Sequence, residues 1–306
     1  MDKDGDREDG LTCCIILNYN DADTTRRLAE ELKEYECLDA VVVVDNHSAD
    51  DSWERLSGLK GQRKLHLLRT EENGGYGAGN QAGIDYVTEE LKARYVIIAN
   101  PDIHVTEECI LKVKKALVDT EDAGAASARV MSPEGKELFS YWDLLPWWKD
   151  LLDGGLFTRR LFRSMLYTPP YRLKKAGTEG GRLVGAVPGS FFMVDLGRLT
   201  PAEAGALFDP EIFLYCEEKV LGQKLRERGL SVVLETEADY IHAHSVSIDK
   251  SVSGIAAKQR ILHKSRLYYY ENYLHAGKWQ LAASRLSLDA VLFEVWFLTV
   301  VCRLRW

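Results

Sequence analysis

Four short segments hold the residue types that could do chemistry together. Asp102 follows an apolar run and Pro101, Glu217 and Glu218 open an amphipathic stretch, and His242 and His244 sit two apart just past another apolar run. A carboxylate fixed by a proline turn, with room for solvent oxygens, suits a hard divalent cation that bridges phosphates. An imidazole beside it would complete a site fit for Mn²⁺ or Mg²⁺. Glu218 has Leu221 and Leu225 at its i+3 and i+7 positions, so it stands at one end of an apolar helix face. Shelter from water there raises a carboxyl pKa and suits it to accept a proton. Each residue also has a plainer reading. Asp102 or Asn100 could cap a helix starting near Thr106, Glu217 could complement a helix dipole, and the histidines could be neutral structural groups.

The segment LLRTEENGGYGAGNQAG, residues 67–83, contains a loose glycine fingerprint of the dinucleotide-binding kind. That fingerprint needs its turn to follow the strand directly, so that helix amides meet the pyrophosphate. Here the polar stretch Thr70-Glu71-Glu72-Asn73 separates the apolar run from the glycines. The match alone is a weak basis for a nicotinamide cofactor.

The elements that must position these groups are legible in the first third. Cys13 to Leu17, Ala40 to Val44, Leu65 to Leu68 and Tyr95 to Ala99 are short β-branched or aliphatic runs. They alternate with amphipathic stretches at Ala22 to Tyr35, Asp51 to Leu59, Gly77 to Leu91 and Thr106 to Val118. This pattern calls for an α/β, doubly wound sheet. Ligands of such sheets sit beyond the carboxyl ends of the strands. The residues there are Asn18-Tyr19-Asn20, Asp45-Asn46-His47-Ser48, the loop from Asn73 to Asn80, and Asn100-Pro101-Asp102. Any one of them could be turn chemistry; four together point to a crevice.

After about Val130 the alternation stops. Residues 141–175 mix Trp142, Trp147, Trp148, Phe157 and Tyr167 with Arg159, Arg160 and Arg163, and read as an insertion. Leu183 to Val194 reads as strands around a Gly-Pro break, Glu217 to Arg228 as a helix, Ser231 to Leu234 as a strand, and the remainder as helical. The expected units are an acidic, disordered 1–10, a nucleotide-binding half 11–130, an acceptor half 131–250 and C-terminal helices 251–306.

The 306-residue chain is long enough for one large or two modest cores. Its formal charge of −8 argues against nucleic acid as a partner. The six cysteines lack zinc or disulfide spacing and read as buried thiols. No basic region followed by an apolar core opens the chain, so the cytoplasm is the expected compartment.

The segments IILNYN, VVVVDNHSADDS, EENGGYGAGNQAGI, IIANPDIHV, GSFFMV, FDPEIFLYCEEKVLGQKLRERG and YIHAHSVS occur in the order found in glycosyltransferase family 2. The chain resembles the bacterial rhamnosyltransferase-like branch of that family over about residues 11–250. The resemblance implies a GT-A fold, a mixed sheet in which a nucleotide-binding half is fused to an acceptor half, here with a C-terminal helical extension. It also implies inverting transfer from a UDP or dTDP sugar, dTDP-rhamnose or a UDP-hexose, to a glycan or polyprenyl-linked acceptor. Cell-surface polysaccharide such as capsule or O-antigen would be the product. By the same resemblance Tyr19, Asn20 and Asp45, with Asn18, Asn46 and Ser48 beside them, hold the base. Gly75, Tyr76, Gly77 and Asn80 contact nucleotide and sugar, and Asn100 and Asp102 lie at the diphosphate. Asp102 and His242 are the implied metal ligands, Glu218 the implied base, and Gly189, Ser190 and Glu217 face the acceptor. Asn100 replaces the first acid of the commoner Asp-x-Asp pattern. Glu218 stands where relatives usually carry aspartate, and Val220 where they carry a further acid.

The tail LSLDAVLFEVWFLTVVCRLRW is too short and too charged to span a bilayer comfortably. It reads as an in-plane helix, with Trp296, Trp306, Arg303 and Arg305 near headgroups at the inner membrane face, or as packing in a core or homodimer interface. Two rival functions remain at this level. One is a sugar nucleotidyltransferase, whose activating glycines and basic residues are absent from Asn18 to Thr25. The other is a catalytically weak homologue acting as a binding or assembly subunit.

Overall fold

The computed structural model describes residues 10–243 and 254–301. The acidic opening stretch to Asp9, His244, Cys302, Arg303, Arg305 and Trp306 lie outside the described residues.

Strands β1 (Thr12–Asn18), β2 (Ala40–Asp45), β3 (Leu65–Arg69) and β4 (Tyr95–Ala99) are all parallel, in the order β3-β2-β1-β4. Helices α1 (Ala22–Leu32), α2 (Ser52–Leu56) and α3 (Gly75–Glu89) cross between them. The strands are continuous aliphatic runs because both faces are covered. Cys14, Ile16, Val41, Val43 and Ile97 enter one core, and Cys13, Ile15, Val42, Val44 and Ile98 the other. α3 begins two residues earlier than its pattern suggests. Gly75 supplies the left-handed φ of +91° that turns the loop into the helix.

Beyond β4 the sheet becomes mixed. β5 (Ile103–His104) precedes α4 (Glu107–Asp119), followed by β6 (Ala123–Met131), β7 (Gly181–Val184), β8 (Phe191–Asp195) and β9 (Ser231–His242). β8 lies antiparallel between β4 and β6, β9 runs parallel to β6, and β5 and β7 pair antiparallel with β9. β9 continues eight residues past the expected Leu234. Its polar middle is accommodated by a register jump, from Ala128 opposite Glu235 to Arg129 opposite Asp239. The Glu235 carboxylate there accepts hydrogen bonds from Thr178 and the Glu237 amide.

The insertion forms α5 (Trp147–Gly154), α6 (Leu156–Leu161) and α7 (Arg163–Leu166), and a short α8 (Pro201–Ala204) precedes α9 (Glu217–Glu227). Then come α10 (Ile255–Asn272) and α11 (Lys278–Trp296), which pack on each other. α10 and α11 join α9 through a core of Ile212, Val220, Tyr269, Tyr270 and Leu281. Val220 is therefore an apolar packing position. α5 is tied beneath α9 by a buried ion pair between Asp150 and Lys219, with the Tyr270 hydroxyl donating to the other Asp150 oxygen at 3.1 Å. Burial alone would raise the Asp150 pKa, but the charges of Lys219 and Arg266 and the two hydrogen bonds hold it below the ordinary value.

The C-terminal segment from α11 onward does two things at once. Leu281, Ser284, Leu288, Val291 and Val295 form its buried stripe, while Leu286, Phe293, Trp296 and Phe297 are exposed. Its Glu294 is used within the fold, accepting from the amides of Leu156 and Phe157 at 3.3 and 3.1 Å. No helix among the described residues is long and apolar enough to cross a membrane. Cys13, Cys14, Cys37, Cys109 and Cys216 are free thiols, all buried except the half-buried Cys37.

Candidate active site

A crevice of about 520 Å³ opens beyond the carboxyl ends of β1, β2 and β4. Its walls include Tyr19, Asn46, Gly75, Tyr76, Asn100 and Gly189, together with Ser190, Glu217, Glu218 and His242. Segments scattered over more than two hundred positions thus converge on one opening.

Asp102 and His242 are brought together by strand pairing. Ile103 of β5 lies opposite His242 of β9, which leaves the Asp102 carboxylate beside the imidazole, Oδ1 to Nε2 at 3.3 Å. Asp102 is 6% exposed, and its buried Oδ1 makes no hydrogen bond among the described residues. α4 is capped by the Thr106 hydroxyl, which accepts from the Cys109 amide at 3.2 Å, so Asp102 does not serve as the cap. A buried carboxylate oxygen lacking a donor, next to an imidazole nitrogen, fits a divalent cation whose remaining ligands come from a diphosphate. Among the described residues no third His, Cys, Asp or Glu joins the pair.

Glu217 and Glu218 form the first turn of α9. The two residues before them, Tyr215 and Cys216, have φ of 72° and 74°. Consecutive left-handed non-glycine residues are costly, on the order of 1–3 kcal/mol each. The Cys216 thiol and Val220 packed against α10 hold this bend, which aims the first turn into the crevice. Glu218 Oε1 accepts from the Gly189 amide at 3.3 Å, and Gly189 is itself held by the Tyr76 hydroxyl on its carbonyl. Burial pushes the Glu218 carboxyl up; its own amide, the Gly189 amide and the Lys219 charge offset part of that rise. Glu217 is 4% exposed and has an oxygen without a hydrogen bond. Burial, then the Glu218 charge, pushes it well above the carboxylate range. Burial thus favours the protonated form of both carboxyls, and the charge of Glu218 adds to the rise at Glu217.

Several residues expected at the nucleotide hydrogen-bond one another. Asn18, Asp45 and Ser48 are at most 4% exposed. Asp45 accepts from the Asn18 amide at 2.7 Å, from the Ser48 hydroxyl at 2.5 Å and from Arg69 at 3.4 Å. The Asn20 side chain accepts from the Ala49 amide at 2.8 Å and its own amide donates to Ser48. This network shapes the floor that presents Tyr19 and Asn46. Asn80 and Gly77 are on the buried side of α3, with Asn80 donating to the Tyr76 carbonyl and Gly77 against Phe208. The Ser190 hydroxyl pairs with Tyr240 at 2.7 Å.

Residues 13–175 match the family described as glycosyl transferase family 2. The chain belongs to glycosyl transferase family 2.

This family 2 chain is 27% identical over 254 residues to the N-acetylglucosaminyl-diphospho-decaprenol L-rhamnosyltransferase of Mycobacterium tuberculosis, covering 79% of itself and 77% of that protein. It is 27% identical over 121 residues to the low-salt glycan biosynthesis hexosyltransferase of Haloferax volcanii, covering 40% of itself and 37% of that relative. In fold it is similar to GalNAc-T7 solved with UDP, GalNAc and Mn²⁺, with TM-score 0.58, 15% identity, and coverage of 96% of this chain and 57% of that one. It is likewise similar to a mannosyltransferase of Pyrobaculum calidifontis in complex with GDP-Man and Mn²⁺, with TM-score 0.55, 13% identity, and coverage of 92% and 74%. The expected GT-A fold with a helical C-terminal extension is borne out.

Some walls of the family 2 crevice were not singled out from sequence. Asn73, Phe213, Leu214, Pro188 and Phe139 line it. Asn73 was legible as a loop bound only. Phe213 to Tyr215 fall inside the segment ahead of Glu217, where the left-handed bend that turns them inward has no glycine to announce it.

Proposed function

We propose that the protein is an inverting glycosyltransferase that moves a sugar from a pyrimidine nucleotide sugar, dTDP-rhamnose or a UDP-hexose, to a hydroxyl of a glycan or lipid-linked glycan in cell-surface polysaccharide synthesis. The observation that carries the reading is the arrangement of the crevice. A sheltered glutamate at the start of α9 shares one opening with His242, beside which lies the donor-poor Asp102 carboxylate.

Tyr19 and Asn46 line the end that would take the base, and Asn100 the approach to the diphosphate. Asp102 and His242 would hold a divalent cation, Mn²⁺ or Mg²⁺, which supplies charge neutralisation at the departing diphosphate when bound. The acceptor oxygen attacks the anomeric carbon as the bond from that carbon to the diphosphate breaks. Glu218 takes the acceptor's proton, and the configuration inverts in a single displacement. Glu217, whose carboxyl is raised by burial and by the Glu218 charge, can hydrogen-bond an acceptor hydroxyl. Gly189 and Tyr76 fix Glu218 in place, which contributes through orientation. The exposed apolar face of α11 suits contact with a membrane surface bearing the acceptor.

A thermal-shift screen of UDP and dTDP sugars with and without Mn²⁺ tests the donor side, because a ligand well above its Kd raises the unfolding midpoint. The expected result is stabilisation by one pyrimidine nucleotide sugar that grows when Mn²⁺ is added. Stabilisation by none of them would remove the reading.

A further inference from the structure

A second cavity, of about 850 Å³, lies against the first and shares Phe139 and Trp142 with it as a common wall. Its lining carries Arg159, Arg160, Arg163, Lys219 and Arg266 against only two carboxylates, Asp143 and Asp153. Those carboxylates are engaged. Asp153 pairs with Arg159 at 2.9 Å, and Asp143 accepts from the Thr168 amide at 2.8 Å. Lys219 is taken up by Asp150.

Arg266 is the decisive group. It projects from α10, is 6% exposed, and makes no hydrogen bond or close ion pair among the described residues, although its charge lies in the field of the Asp150 and Asp153 carboxylates. Its guanidinium passes so close over Gly154 that a Cβ there would lie 2.1 Å from Nη1, so the helix end leaves room for it. Those carboxylates offset its charge without accepting from its N–H groups, and a buried guanidinium with unused donors is costly until acceptor oxygens meet them. Its planar fork matches phosphate oxygens. Arg160 and Arg163, exposed at the mouth, likewise have no partner among the described residues. Next to this mouth the chain turns apolar. Phe157, Leu161 and Phe162 are exposed on α6 and beside it, and the Glu294 carboxylate, which caps the Leu156 and Phe157 amides, brings exposed Phe293 of α11 and Phe297 just beyond it alongside.

We propose that this second cavity binds the phosphates of an acceptor whose sugar is carried on a prenyl diphosphate, with Arg266 as the buried anchor and Arg160 and Arg163 as outer cations. The hydrocarbon lies along the apolar rim of α6 and α11. The carrier's sugar passes the wall of Phe139 and Trp142 and reaches Glu218. The inference rests on the transferase reading for its destination, while the anion cavity itself stands on Arg266.

The test is isothermal titration of the full chain with geranyl diphosphate, inorganic pyrophosphate, and UDP or dTDP with Mn²⁺ in parallel. Geranyl diphosphate is expected to bind about tenfold tighter than pyrophosphate, because its chain also buries apolar surface. Saturating nucleotide should not displace it. Arg266→Gln is expected to weaken geranyl diphosphate about tenfold or more and leave nucleotide affinity unchanged. The double variant Arg160→Gln/Arg163→Gln, altered only at exposed side chains, should weaken it in the same sense and covers the case in which Arg266→Gln fails to fold. Nucleotide binding without any diphosphate binding, or unchanged diphosphate affinity in the double variant, would overturn the proposal and spare the transferase reading. Competition by UDP would overturn it too, since the probe would then occupy the donor crevice. Displacement of the probe by phosphatidylglycerol vesicles would assign the cavity to bilayer headgroups and sink the acceptor assignment. Diphosphate binding with no nucleotide binding would keep the anion cavity and remove the transferase reading.

Discussion

His242 Nε2 stands 3.3 Å from a buried Asp102 oxygen that makes no hydrogen bond among the described residues, although 140 positions separate the two in the chain. The pairing of Ile103 with His242 puts them there. Such a pair has little to offer stability, since the carboxylate oxygen is desolvated without a donor. Its use lies in what it can hold. Asp102→Asn and His242→Ala are each expected to leave the unfolding midpoint without Mn²⁺ nearly unchanged and to abolish the extra stabilisation by Mn²⁺ and nucleotide. Turnover should fall about 100-fold or more, and chelation of metal from the native protein should do the same. Thermal shift with and without chelator, alongside product release, reads both.

The paired glutamates give opposite outcomes. Glu218→Gln should reduce turnover by about 10²–10⁴-fold while keeping nucleotide binding. Glu217→Gln, at the carboxyl that burial and the Glu218 charge push up, should retain most of the turnover. In native protein the acidic limb of the rate profile should lie above the ordinary carboxylate range, because burial raises Glu218. Equal losses in the two variants would contradict the assignment of the base.

Stability carries the same signature with a definite sign. The folded pKa of Glu217 is raised, so its contribution is fully present below the unfolded carboxylate value, about 4.3, and is lost as pH rises through the folded value. Glu217→Gln should flatten that decline in denaturant unfolding. Asp150 behaves oppositely. Its folded pKa is depressed, so its contribution is present above about 3.9 and is lost as pH falls through the folded value.

Breaking the Asp150–Lys219 pair should be expensive. Asp150→Asn leaves a buried ammonium without its counter-charge and is expected to cost about 3–5 kcal/mol in chemical denaturation. Because the pair ties α5 to α9, the loss should also disorder the first turn that presents Glu218, which would appear as lower turnover in whatever fraction stays folded.

Gly75→Ala tests how the crevice wall is joined. A Cβ at Gly75 would lie 2.1 Å from the Phe213 carbonyl oxygen, which accepts from the Tyr76 amide, and the backbone there has φ of +91°. The expected cost is about 1–3 kcal/mol in stability. Nucleotide affinity should weaken as well, since α3 and the segment ahead of α9 must part.

The four parallel strands and their crossover helices were legible in the sequence, because aliphatic runs buried on both faces and amphipathic helices have distinct periods that need no tertiary context. So was the burial of Leu221 and Leu225 behind Glu218. Polarity at strand ends marked the crevice but could not assign its members. Asn18, Asp45 and Ser48 have the same composition as ligand residues, yet short side chains at adjacent strand ends satisfy one another first. The register jump in β9 was not legible, because acidic residues in a strand are tolerated only when remote groups such as Thr178 meet them. Order along the chain was enough for the α/β alternation, the helix that carries the glutamates and the aromatic, basic character of the insertion. Packing settled that His242 meets Asp102, that Val220 is core, that burial raises both glutamates, and that Arg266 makes no hydrogen bond among the described residues. These depend on which groups from distant segments are desolvated together, a property of packing rather than of order along the chain.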